Sequence, residues 1–232
     1  MMTTEKLQNH LKHVESRIRE AAIRSGRAPD AIQLVAVTKT QSVETLEKAY
    51  AAGVRTVGEN RVQELLAKWP SFEDRFEWHI IGHLQSNKVK YIIDKVALIH
   101  SVDSLKLAQE ISRQAIKIGK VMPVLIQVNP AEEETKFGLS SSEVELLVRE
   151  AALLPGIKIQ GLMTIAPFVE DEGLLRQVFS EMRQIFDHLK EVSIQGVEMK
   201  YLSMGMTHDF EIAIEEGATM VRIGSGLFGE RQ

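Results

Sequence analysis

Leu34-Val35-Ala36-Val37-Thr38-Lys39-Thr40 sets four apolar residues against a polar exit, and Val43–Ala52 follows with helical periodicity. A short apolar run bounded by turn residues reads as a strand. The same unit recurs along the chain. Apolar runs stand at Leu34–Val37, Thr56–Val57, Trp78–Ile81, Leu98–Ser101, Val124–Val128, Ile157–Leu162, Met199–Leu202 and Met220–Ile223. Helical patterns separate them, among them Leu105–Ile118, Ser142–Leu153 and Leu174–Lys190, and a further helix near Thr4–Ser25 precedes the first run.

Strands divided by room for a helix are parallel and joined by crossovers. Eight such units in 232 residues predict one α/β domain over 1–232, a (β/α)8 TIM barrel with an extra N-terminal helix. Periodicity leaves a doubly wound open sheet as the alternative, although no Gly-x-Gly-x-x-Gly turn follows the first strand. Composition bounds the function. Apolar residues make up 44% and charged residues 26%, the balance of a globular chain with a sizeable core. A net charge of -4 with no basic block argues against a nucleic-acid or membrane-surface partner. Cysteine is absent, which excludes disulfides, thiolate catalysis and Cys-ligated metals. Neither a signal peptide nor an apolar run of spanning length stands in the sequence, so the expected location is cytoplasmic.

In a barrel, chemistry belongs where strands run out into the loops before the helices. Alternation places Val35, Val37 and Lys39 on one face, so an amine stands at the mouth above apolar side chains. Desolvation or neighbouring cations would free that amine to attack a carbonyl; the competing reading is a rim lysine with its head in water. On strand 8, Met220 and Arg222 share a face, which makes Arg222 a cation in need of a partner. Gly224-Ser225-Gly226 follows, either a plain turn or a phosphate-binding turn of bared N–H groups. Strand 7 leaves through Ser203-Met204-Gly205-Met206-Thr207-His208-Asp209 into a helix from Phe210 to Glu216. Hydroxyls and a helix start in that loop suit an anion, with capping by Thr207 or Asp209 as a compatible role. Gly58-Glu59-Asn60-Arg61 and Gly161-Leu162-Met163-Thr164 mark two further exits. His79 and His83 fall on a strand and its loop rather than one helical face, with no Cys and no adjacent Asp or Glu in that loop, so no metal site is expected.

Taken together, Leu34–Thr40, Gly58–Glu64, Trp78–Lys88, Gly161–Thr164, Leu202–Asp209 and Val221–Gly229 closely resemble the pyridoxal phosphate homeostasis protein family, a stand-alone relative of the alanine racemase N-terminal barrel. The resemblance implies that Lys39 holds pyridoxal 5'-phosphate (PLP) as a Schiff base. It implies that the cofactor phosphate sits between the Ser203–Thr207 loop and Gly224–Ser225, that Arg222 faces the pyridine nitrogen, and that Asn60 and Met163 line the ring. Thr207 stands where serine is common in the family, which keeps the hydroxyl. An arginine at the ring nitrogen discourages its protonation and makes a poorer electron sink than an aspartate partner does. In alanine racemase the second acid–base group is a tyrosine from the partner subunit's additional domain. The sequence ends at Gln232, so that domain is expected to be missing, and Tyr50, Tyr91 and Tyr201 are the tyrosines at hand. The family implies a carrier or buffer of PLP in vitamin B6 and amino-acid homeostasis, with apo-enzymes as recipients and no catalytic residue; a weak PLP-dependent amino-acid racemase is the alternative.

Overall fold

The structure is a computed structural model that describes residues 2–131, 133 and 136–229; the chain end at Gln232 lies outside them. Eight parallel strands close in chain order: β1 (Gln33–Val37), β2 (Thr56–Glu59), β3 (Glu77–Ile80), β4 (Leu98–Val102), β5 (Met122–Val128), β6 (Ile157–Thr164), β7 (Val197–Ser203) and β8 (Met220–Ile223). Gln33 pairs with Met220 and Val35 with Arg222, which joins β1 to β8. The protein is a (β/α)8 TIM barrel. Closure rules out the open sheet that periodicity allowed, and it leaves no unpaired edge strand.

The helices are α1 (Thr4–Arg24), α2 (Val43–Ala52), α3 (Val62–Phe72), α4 (Leu105–Lys117), α5 (Val144–Ala151), α6 (Glu172–Val192), α7 (Phe210–Glu215) and α8 (Ser225–Phe228). The extra helix α1 starts where the Thr3 hydroxyl accepts the Lys6 N–H at 3.1 Å. Its stripe Leu7, Leu11, Val14 and Ile18 is buried and packs on α2, α7 and α8. It therefore covers the side of the barrel where β8 meets β1.

Three details of the elements go beyond the sequence reading. Helix α3 escapes its pattern because Lys68 sits on the buried stripe with Val62, Leu65 and Phe72, and Pro70 lies inside the helix. The crossover from β3 to β4 is a 3-10 segment, Ser86–Tyr91, with no α-helix. Strand β6 runs two residues past Leu162 to Thr164 through Gly161. At Gly161 φ is +143°, the register with β7 shifts, and a Cβ would fall 1.8 Å from the Tyr201 carbonyl oxygen. Only glycine fits there.

Val35, Leu98, Leu125, Met163 and Met220 fill the barrel interior, and a larger cluster fills the layer between strands and helices. Among the described residues no helix is long and apolar enough to cross a membrane, and no group of three or more His, Asp or Glu side chains is placed to hold a metal ion.

Candidate functional site

A cleft of about 330 Å³ opens at the strand exits and is lined by Lys39, Met206, Thr207, Arg222, Gly224 and Ser225, with Phe168 and His208 on its rim. Each of these residues stands at the C-terminal end of β1, β6, β7 or β8, where a parallel barrel exposes its loops.

Lys39 is half-buried, and the backbone on both sides of it is held. Thr38 is fully buried; its hydroxyl donates to Glu59 Oε1 at 2.6 Å, and its carbonyl accepts from Lys68 Nζ at 2.8 Å. The Thr40 N–H donates to Glu64 Oε2 at 2.6 Å, with Thr40 in the left-handed region at φ 64°. Lys68 ties these acceptors together through Glu59 at 2.8 Å and Glu64 at 3.4 Å. Burial pushes the Glu59 carboxyl up from its ordinary range, against the pull of Lys68 and Thr38, and among the described residues Glu59 Oε2 has no hydrogen-bond partner. This network fixes where the Lys39 side chain starts. Sequence reading marked Glu59 as part of a strand exit and missed Lys68; the signal was a lysine on an apolar helical stripe.

Arg222 forms the inner wall of the cleft and finds its partners in neutral groups. Nη1 donates to Ser203 Oγ at 2.7 Å and Nη2 to the Thr164 carbonyl at 2.7 Å. Burial pushes its pKa down to about 10, with the charge of Asp209 acting in the opposite direction, so it remains a cation at neutral pH. Two of five guanidinium donors are used in these bonds, which leaves donors for a ligand in the cleft.

The exits of β7 and β8 are stitched together where the Gly226 N–H donates to the Thr207 hydroxyl at 3.3 Å. Gly205, at φ +91°, packs so closely that a Cβ would lie 2.6 Å from that of Ala213, and this folds the loop back over α7. Asp209 Oδ1 accepts the Met206 N–H at 2.5 Å. Among the described residues no intramolecular hydrogen bond engages the N–H groups of Thr207 or Ser225. An anion placed here would meet those donors and the Thr207 hydroxyl.

Lys39, Thr207, Arg222, Gly224 and Ser225 thus meet in one cleft. Three other expected residues lie elsewhere. Ser203 is fully buried, its hydroxyl engaged by Arg222 and by His100 at 3.1 Å. Met163 packs in the barrel interior. Asn60 lines a neighbouring cleft with Arg61, His83 and Lys88. Tyr50 lies in α2, Tyr91 ends the 3-10 segment, and Tyr201 packs against the interior cluster. His83 stacks on Phe137 at 3.8 Å, with Asp103 3.3 Å away. Phe168, 84% exposed and edge-on to His208 at 5.4 Å, was not singled out from the sequence, because one exposed aromatic in a loop carries no pattern.

A closed parallel barrel with an amine, a buried guanidinium and anion donors around one cleft belongs to the class of small-molecule-binding α/β barrels. Residues 10–232 match the family model for the alanine racemase N-terminal domain. A pyridoxal phosphate homeostasis protein of Aquifex aeolicus is 46% identical over 223 residues, covering 96% of this chain and 97% of that protein. One from Vibrio alginolyticus is 38% identical over 230 residues, 97% of each chain. PipY of Synechococcus elongatus, solved with PLP bound, superposes with a TM-score of 0.80 at 35% identity, covering 92% of this chain and 99% of that one. An alanine racemase of Clostridium difficile, at 18% identity and a TM-score of 0.76 over 98% of this chain and 57% of its own, shares the fold. The chain belongs to the pyridoxal phosphate homeostasis protein family, within the alanine racemase N-terminal domain family.

Proposed function

We propose that residues 1–232 act as one unit that holds PLP as a Schiff base on Lys39 and serves as a cytoplasmic carrier or buffer in PLP and amino-acid homeostasis. The observation that carries this reading is the donor set of the cleft: an amine, a buried cation and hydroxyl and N–H donors on one 330 Å³ space, a volume suited to a small ligand. When bound, PLP supplies an aldehyde that condenses with a primary amine. Lys39 supplies that amine, on backbone braced by Glu59, Glu64 and Lys68. Thr207 and Ser225 offer hydroxyl and N–H donors to a phosphate. Arg222 donates toward a ring nitrogen and opposes a proton there, which disfavours broad carbanion chemistry.

Asn60 and Met163 belong to this reading as neighbours of the ring, and Ser203 acts on the ligand through Arg222. No residue is assigned a catalytic role. A racemase needs a second acid–base group on the opposite face of its substrate, and Tyr50, Tyr91 and Tyr201 all lie in or beside regular elements away from the cleft lining. Lys39 suits a carrier because a Schiff base exchanges with an incoming amine and returns the lysine without unfolding the chain; apo-enzymes would be the recipients. The PLP-bound PipY and the names of the relatives support the same ligand.

The test is the visible spectrum of the purified protein beside Lys39→Ala, followed by borohydride reduction and mass mapping. A yellow wild type with the reduced adduct on Lys39 is expected. A wild type that stays colourless after PLP is added would overturn the reading. Fast, Lys39-dependent inversion of any amino acid would replace the carrier role with a racemase.

A further inference from the structure

A column of polar side chains rises through the barrel from its N-terminal end to Arg222. Glu77, the first residue of β3, is half-exposed at the bottom. Its Oε1 lies 3.2 Å from His79 Nε2. His79 Nδ1 lies 3.0 Å from His100 Nε2, and His100 Nδ1 lies 3.1 Å from Ser203 Oγ. Ser203 Oγ accepts from Arg222 Nη1 at 2.7 Å. His79, His100 and Ser203 are each completely buried, and all four ring nitrogens of the two histidines are used. A buried polar chain that is fully paired is rigid, whereas one gap in it would cost the desolvation of an unsatisfied group.

The carboxylate end sets the direction of the protons along the column. A carboxylate only accepts, so a His79 ring with one proton carries it on Nε2 and presents a lone pair at Nδ1. His100 must then donate from Nε2 and accept at Nδ1. The Ser203 hydroxyl donates to that nitrogen and turns its lone pairs toward Arg222. A guanidinium only donates, and Ser203 Oγ keeps a lone pair for it in either order, so the direction is set from the Glu77 end. With one proton on each ring, the reverse order would set a lone pair of His79 against the Glu77 carboxylate. The groups facing the column are few: Thr56 of β2 and Lys200 of β7 act on Glu77, and Arg222 of β8 acts on His100.

We propose that Glu77, His79 and His100 are positioning residues: a one-way hydrogen-bond relay that turns the Ser203 hydroxyl proton away from Arg222 and so orients Arg222 for the ligand in the cleft. The column thereby links the solvent-accessible bottom of the barrel to the wall of the cleft at its top. Its functional consequence rests on the reading of Arg222 as a ligand contact, but the relay itself does not. His100 lies inside the apolar run of β4 and was not singled out from the sequence.

Ring-nitrogen NMR of the protein labelled with ¹⁵N-histidine and freed of PLP tests the relay, so a failure here is separate from a failure of PLP binding. Both buried histidines are expected to carry the proton on Nε2 and a lone pair on Nδ1 in the wild type. In Glu77→Gln the amide can accept or donate, and His79 and His100 should each lose their single form. A proton on Nδ1 of His100 in the wild type would overturn the proposal, as would unchanged ring-nitrogen shifts in E77Q. Loaded with PLP, E77Q should differ from wild type in the shape of the visible absorption band at one fixed pH; identical bands would overturn the link to Arg222.

Discussion

Replacing Lys68 by methionine keeps the length of the side chain and removes the charge that Glu59 faces. In the wild type Lys68 Nζ lies 2.8 Å from Glu59 Oε1, with 7% and 0% of the two side chains exposed. Breaking a buried ion pair from one side costs about 3–5 kcal/mol, because the remaining charge stays buried without its partner. Glu59 keeps the Thr38 hydroxyl at 2.6 Å, and the variant gains an apolar contact, so the lower figure of about 3 kcal/mol applies at pH 7. With a urea slope of ~2–3 kcal/mol/M, the unfolding midpoint should fall by roughly 1–1.5 M. The loss should depend on pH in a definite direction. Burial already raises the Glu59 pKa, and Lys68 opposes that rise, so K68M raises it further. A carboxyl raised in the folded state penalises folding above its folded pKa and ceases to do so below the unfolded value of about 4.3. The deficit of K68M relative to wild type should therefore shrink as pH falls from 7 toward 5. The double variant Lys68→Met with Glu59→Gln should recover part of the loss at pH 7 and show little of the pH trend. A K68M deficit below about 1 kcal/mol, or one that stays constant between pH 7 and 5, would refute the account of this network.

Gly161→Ala should prevent accumulation of folded protein or lower stability by more than about 3 kcal/mol, since its Cβ would fall 1.8 Å from the Tyr201 carbonyl oxygen at a φ of +143°; a thermal melt reads this directly. Gly226→Val, whose Cβ alone would stand 3.0 Å from Ile223 and 3.2 Å from Thr207, should weaken PLP binding about tenfold, some 1.4 kcal/mol, with an unchanged far-ultraviolet spectrum. Phe168→Ala touches a side chain 84% exposed, so stability should change by no more than about 0.5 kcal/mol, while loss of PLP to an added amine, followed by absorbance, should quicken.

The apolar runs and helical intervals of this chain determined its strand count and the parallel order of the sheet, because burial on both faces and a helix-length crossover leave their period in the sequence. Lys39, Thr207, Arg222, Gly224 and Ser225 could be placed at or near strand exits for a related reason, since a barrel gathers its strand ends on one face, but their roles came only from the resemblance. Helix α3 was hidden by Lys68 and Pro70, which break its amphipathic pattern for reasons that lie elsewhere in the fold. What only the tertiary structure decided is which polar side chains meet. Ser203 points at Arg222 and His100 rather than into the cleft, and Lys68 reaches over from α3 to brace the residue before Lys39. Glu77 and Arg222 stand 145 positions apart in the sequence, yet three buried side chains join them. Period and composition record whether a residue faces a core or water. They carry no information about the partner across the barrel, because that contact exists only once eight strands have closed and fixed their register.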